Sequence, residues 1–159
     1  MIKILFVCHG NICRSPMAEF VMKQKVADAG VAELFQIASA ATSTEELGNP
    51  VYPGTRRILN RNGIDCSAKR ARQMTKADYQ EYDLLVGMDS ENRYNMRRMT
   101  GGDKENKVSL LLDYTDKPGD ISDPWYHNDF EKTWREVNLG CDALLEYCLR
   151  KMKEGGFGA

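Results

Sequence analysis

Residues 2–7 read Ile-Lys-Ile-Leu-Phe-Val, apolar everywhere except Lys3, and the run ends at Cys8-His9-Gly10. A strand with one wet face alternates apolar and polar residues, whereas a strand buried on both faces of a parallel sheet does not, so this segment predicts an interior parallel strand. Parallel neighbours need long crossovers, and a helical pattern follows at once. Ser15 is an N-cap candidate, Pro16 suits the first helical position and Glu19 favours the first turn. Ala18, Val21, Met22, Lys25, Val26 and Ala29 then keep helical spacing up to Gly30.

The alternation continues down the chain. Leu34–Ala38 predicts a second strand and Thr55–Asn62 a helix stopped by Gly63; Asp83–Met88 predicts a third strand and Ser90–Met99 a helix. Val108–Leu112 supplies a fourth strand, and Phe130–Met152 carries Phe130, Trp134, Val137, Cys141, Leu144, Leu145 and Cys148 at amphipathic spacing. Strand and helix in turn indicate an α/β fold: a single doubly wound domain over residues 1–159, with about four parallel strands and helices on both faces. No repeat or linker divides the chain, and a domain of about 150 residues buries about 68–70% of its unfolded surface without staples.

Charge and composition exclude several function classes. With 22 Lys+Arg against 23 Asp+Glu the net charge is -1, without the basic footprint of a nucleic-acid binder. The apolar run before His9 is too short for a secretory core or a membrane span, so a cytoplasmic protein with no membrane span is expected. Five cysteines, Cys8, Cys13, Cys66, Cys141 and Cys148, are odd in number and irregularly spaced, which argues against a disulfide framework.

Ligands of doubly wound sheets bind at the carboxyl ends of strands, which points to the loop Cys8-His9-Gly10-Asn11-Ile12-Cys13-Arg14-Ser15. Successive backbone N–H groups in such a turn, added to a helix N-terminus, make a concave anion site suited to phosphate. Gly10 and Asn11 tolerate the left-handed backbone that this curvature needs. Arg14 adds a bidentate grip on phosphate oxygens. A field that holds a dianion also stabilises a thiolate, so Cys8 is expected to be ionised and placed to attack phosphorus. No metal or cofactor is expected: Cys8 and Cys13 have no second Cys/His pair at zinc spacing.

The run Val7-Cys8-His9-Gly10-Asn11-Ile12-Cys13-Arg14-Ser15-Pro16-Met17-Ala18-Glu19 resembles the signature of the low-molecular-weight protein tyrosine phosphatases. The similarity extends through Ser39-Ala40-Ala41-Thr42, Ala71-Arg72-Gln73, Met88-Asp89 and Asp123-Pro124-Trp125-Tyr126, nearly the whole chain. It implies a phosphocysteine intermediate on Cys8, held by Arg14 and the loop amides. It also singles out Asp123, among Asp113, Asp116, Asp120 and Asp123 in one polar stretch, as general acid and then base. Trp125 and Tyr126 resemble the aromatic wall for a phenyl ring, and Asn11, Ser39 and Asp89 look like loop supports. The implied partners are phosphotyrosine-containing proteins, and the implied state is a monomer with at most weak self-association.

Ile12 stands where relatives acting on phosphoarginine carry threonine, which favours tyrosine. Two departures stand out: residues 42–47 lack the second wall aromatic, leaving Glu45 and Glu46 to meet basic peptide flanks, and Lys69 stands where members often have histidine. The resemblance implies that Cys13 traps oxidised Cys8 as a disulfide. Cys66, Cys141 and Cys148 read as structural, and Ser15 caps the helix or, by resemblance, donates to the Cys8 thiolate. His9 reads as a loop residue, and His127 as a surface residue without a partner. Lys69, Arg70, Arg72, Arg97 and Arg98 read as solvated faces. An arsenate reductase of the same fold would need a cysteine pair near residues 75–95, where there is none, and a silent phosphopeptide-binding module would have no use for Cys8 and Asp123.

Overall fold

The computed structural model describes residues 1–157, so Gly158 and Ala159 of the expected 1–159 domain lie outside the described residues. Four strands, β1 (Ile2–Cys8), β2 (Phe35–Ala41), β3 (Leu84–Gly87) and β4 (Val108–Leu110), form one sheet in the order β2-β1-β3-β4. All three pairings are parallel, with Cys8 opposite Ala41 and Val7 opposite Gly87. The apolar run of β1 therefore occupies the interior of the sheet, as its lack of alternation predicts.

Among the described residues the α-helices are α1 (Arg14–Asp28), α2 (Pro53–Arg61), α3 (Lys76–Glu81), α4 (Ser90–Met99), α5 (Pro124–His127) and α6 (Phe130–Lys153). The side chains of Ile2, Ile4, Phe6 and Cys8 pack with Met17, Val21 and Met22 of α1, Leu59 of α2 and Val137, Cys141, Leu144 and Cys148 of α6. Leu5 and Val7 point the other way, into Tyr79, Tyr82 and Met96 around α3 and α4. The sheet is covered on both faces. Two glycines let layers approach: a Cβ on Gly54 would stand 2.5 Å from the Phe130 ring, and one on Gly140 only 2.4 Å from Leu111.

Several boundaries differ from those expected. α1 begins at Arg14, because Cys13 rather than Ser15 is its N-cap residue and the Cys13 carbonyl accepts from Met17 N. Ser15 is thus inside the helix and free to face Cys8, and Glu19 lies beyond the first turn. The second strand runs to Ala41, three residues past Ala38, since Ser39, Ala40 and Ala41 stay in register with β1. Pro53 opens α2 ahead of Thr55. β3 is shorter than expected, and β4 stops at Leu110, where Asp113 draws the chain into a 3-10 turn by accepting from Leu110 N. The short helices α3 and α5 have too few residues to show a period, although Thr75 and Asp78 form a capping box at the start of α3.

Candidate active site

Cys8 ends β1 and is nearly buried, and the chain turns away from it through Asn11, whose φ of 59° is left-handed. That turn aims Asn11 N at Cys8 Sγ, 3.3 Å away, and brings Ser15 Oγ to 3.0 Å from the same sulfur. Asn11 Nδ2 donates to Ser15 Oγ at 2.8 Å, so Ser15 uses an acceptor site there and keeps its own proton for the sulfur or for Ala40 O, 3.4 Å away. No side chain caps α1, and its first-turn N–H groups, which an α-helix cannot satisfy internally, open toward the loop.

Arg14 is the largest fully buried side chain. Nη1 donates to Asp89 Oδ2 at 2.6 Å and to Ile121 O at 2.8 Å, while Nη2 lies 3.5 Å from Asp123 Oδ2. Nε is buried with no hydrogen-bond partner among the described residues. A buried unsatisfied donor costs about 1–3 kcal/mol, so this N–H is a ready partner for an oxyanion. Burial opposes the guanidinium charge, but Cys8, Asp89 and Asp123 outweigh it and push the Arg14 pKa above its ordinary value. Asp89 is fixed in turn: it is the N-cap of α4, accepting from Asn92 N at 2.8 Å. Its contact with the loop runs through Arg14, which it anchors.

Asp123 stands at the N-cap of α5 and accepts from Trp125 N at 3.0 Å. Buried Ile121, whose N–H donates to Met88 O, ties this segment to the end of β3. A pocket of ≈ 120 Å³ gathers Cys8, His9, Gly10, Ile12, Cys13 and Arg14 with Asp123, Trp125 and Tyr126 on one side and Glu45 and Glu46 on the other. Tyr52, unmarked by any sequence signal, meets Trp125 edge to face at 5.0 Å and stacks on Phe130 at 5.7 Å, so it props the aromatic wall. His9 Nε2 pairs with Glu45 at 2.9 Å, and Asn49 donates to Glu46 at 2.5 Å. Cys13 is buried, and burial first, then the nearby Cys8 and Asp123, push its thiol far above the usual range.

Behind the loop lies a buried polar chain. Asn11 Nδ2 donates to Ser39 Oγ at 2.9 Å, and Ser39 Oγ donates to Glu19 Oε1 at 2.5 Å. Lys69 Nζ donates to Ser39 O at 2.9 Å and lies 3.6 Å from Glu19 Oε1. Burial pulls the Lys69 pKa down, and Glu19 offsets part of that. The Lys69 side chain is therefore largely buried, whereas Arg72 is partly exposed; it donates through its backbone N–H to Asn11 Oδ1 and grips Asp78 with both Nη atoms at 2.9 and 3.1 Å. The solvated-face reading is corrected for Lys69, while Arg72 keeps an exposed side with its guanidinium paired to Asp78. Glu19, Tyr52 and Lys69 join the site only through tertiary packing.

His127 also departs from its expected isolation: its ring touches Ser122 Oγ and the Asp129 N–H. Cys66, Cys141 and Cys148 are buried in the core, as expected. Arg97 and Arg98 line an open groove along α4 and remain at the surface.

Comparison with known proteins converges on one group. The sequence model described as low molecular weight phosphotyrosine protein phosphatase matches residues 3–154. A Bacillus subtilis protein named low molecular weight protein-tyrosine-phosphatase YfkJ is 38% identical over 147 residues, covering 91% of this chain and 94% of that protein. The crystal structure of that protein superposes with a TM-score of 0.92 at 37% identity, over 95% of this chain and 96% of the other. A low molecular weight protein tyrosine phosphatase from Streptococcus pyogenes superposes with a TM-score of 0.84 at 42% identity, over 92% and 93% of the two chains.

Proposed function

The chain belongs to the low molecular weight phosphotyrosine protein phosphatase family, and from that premise we propose that it hydrolyses phosphotyrosine in proteins through a phosphocysteine formed on Cys8. The observation that carries the reading is the convergence on one pocket of Cys8, a buried Arg14 with an unpartnered Nε, and Asp123 at 3.5 Å from the same guanidinium.

In this scheme the dianion sits over the loop amides of His9 to Ser15 with Arg14 on its equatorial oxygens, and the Cys8 thiolate attacks phosphorus in line. As the bond to the tyrosine oxygen breaks, Asp123 gives that oxygen its proton. Asp123, now a carboxylate, takes a proton from water; the water oxygen attacks phosphorus, the S–P bond breaks, and the Ser15 hydroxyl stabilises the departing thiolate. Trp125 and Tyr126 hold the phenyl ring at a depth that a phosphoserine would not reach, with Ile12 in the pocket floor. Glu45 and Glu46 on the opposite rim favour basic residues flanking the phosphotyrosine. Cys13, beside the nucleophile, condenses with a Cys8 sulfenic acid left by peroxide, releasing water and forming a disulfide.

The reading extends to a cytoplasmic monomer acting on phosphotyrosine-containing proteins. No helix among the described residues is long and apolar enough to cross a membrane. The test is phosphate release from matched phosphotyrosine, phosphoserine and phosphoarginine peptides by the wild type, Cys8→Ser and Asp123→Ala. Cys8-dependent release from phosphotyrosine alone is expected. Preference for phosphoarginine, or binding without turnover, would overturn the assignment.

A further inference from the structure

Two side-chain hydrogen bonds tie together the two ends of the segment that carries Asp123, Trp125 and Tyr126, and one residue makes both. The Asp129 backbone N–H donates to His127 Nδ1 at 2.9 Å. His127 Nε2 lies 3.0 Å from Ser122 Oγ. A backbone amide can only donate, so Nδ1 must be the ring's acceptor and the proton of the neutral imidazole sits on Nε2, from where it donates to Ser122 Oγ. The ring thereby ties the residue just before Asp123 to the residue that caps α6 through its Oδ1 bond to Lys132 N. Asn128, left-handed at φ 59°, makes the turn that lets the chain fold back onto its own histidine.

We propose that His127 is a positioning residue for Asp123: it closes the loop Ser122–Asp129 and holds the carboxyl and the aromatic wall at the pocket. The backbone supports the same reading. α5 is a single turn, with Asn128 N donating to Pro124 O at 2.7 Å and Tyr126 N to Asp123 O at 3.1 Å. One turn is far too short to be stable by itself. Of its four residues only Pro124 is buried, so packing fixes the loop at Ile121, Pro124 and Phe130 and leaves Trp125, Tyr126 and His127 outside. The ring of His127 is the cross-brace over that exposed half, and it touches neither the pocket nor substrate.

The inference rests on Asp123 acting as general acid, and the experiment separates the two. For the wild type, Asp123→Ala, His127→Ala, His127→Asn and Ser122→Ala, kcat/KM is measured with phosphotyrosine peptide and with p-nitrophenyl phosphate, whose leaving group needs little proton donation. Thermal unfolding is followed in parallel. Asp123→Ala must lower kcat/KM for phosphotyrosine far more than for p-nitrophenyl phosphate; an equal loss would refute the acid role itself and this inference with it. Given that signature, His127→Ala is expected to lower phosphotyrosine kcat/KM about 3- to 10-fold, the worth of one or two ordinary hydrogen bonds, with p-nitrophenyl phosphate within about twofold. Ser122→Ala should give a smaller loss of the same kind. His127→Asn, whose Oδ1 can still accept from Asp129 N–H, should recover much of it. A His127→Ala enzyme with an unchanged ratio between the two substrates, whether or not its unfolding temperature moves, overturns the proposal.

Discussion

The Glu19–Lys69 pair behind the phosphate loop gives the sharpest energetic prediction. At 3.6 Å and an effective dielectric of about 20, the gross attraction is about 5 kcal/mol. Most of it is offset by desolvation, since both side chains are largely buried and burial already pulls the Lys69 pKa down. Lys69→Met removes the donor to Ser39 O and one counter-charge of Glu19. Glu19 keeps Lys23 at 2.6 Å on the wet side, so the cost should be about 1–3 kcal/mol. Glu19→Gln leaves Lys69 buried with less compensation. Its folded pKa falls further below the unfolded one, the unfolded chain then binds more protons, and the stability of the variant should rise toward alkaline pH.

Urea unfolding of both single variants and the double variant at pH 7 closes a mutant cycle. The double variant should be more stable than the two losses summed, with a coupling of about 1–3 kcal/mol. Because Ser39 orients the Asn11 amide, and Asn11 orients Ser15 against Cys8, each single variant should also lower phosphotyrosine kcat/KM roughly fivefold, the equivalent of one weakened hydrogen bond. Losses that add within about 0.5 kcal/mol would show that the two charges do not work as a pair, and the reasoning would fail.

Three further outcomes are expected. Asp89→Ala removes both the buried partner of Arg14 and the cap of α4 and should cost about 3–5 kcal/mol in urea unfolding, whereas Asp89→Asn keeps the cap and should cost visibly less. Gly140→Ala places a methyl against Leu111 and should destabilise by about 1–3 kcal/mol despite the better helix propensity of alanine, as read from its unfolding midpoint. Burial raises the Asp78 pKa, but hydrogen bonds from Arg72 and Thr75 outweigh it and leave the group below its ordinary value of 3.8. The stabilisation is therefore present above that value and lost as pH falls through the lower folded pKa, so wild type and Arg72→Met should differ in stability at pH 7 and converge in strong acid.

The sheet was readable because its central strand carries no alternation and each crossover contains at least one helix long enough to show a period. The turn between β1 and α1 was readable for a related reason: residues 8–15 are contiguous, so strand end, turn and helix N-terminus appear in one stretch of letters. What escaped was assembled across the chain. Lys69 looks like any surface lysine until Ser39 O and Glu19 are seen around it, and Tyr52 shows nothing of Trp125. Ser15 misled for a subtler reason, since a serine before a proline fits an N-cap as well as it fits a second helical position facing a sulfur. His127 sits at the surface as expected, but its partners, a backbone amide and a serine inside one tight turn, are not revealed by residue identities alone.

The placing of β1 between β2 and β3 has a consequence for how the molecule is born. Cys8 precedes the residues that surround its loop: Ser39 from β2, Lys69, Asp89 after β3, and Ile121 and Asp123 from far down the chain. At about 5–20 residues per second, the 115 residues from Cys8 to Asp123 take roughly 6–23 s to emerge during translation. Early in that interval Arg14 has no Asp89, and to its end it lacks Asp123. The set of partners around the Arg14 guanidinium is thus completed late, and a chain truncated before Ile121 would carry the entire signature loop and Asp89 without the Ile121 carbonyl and Asp123.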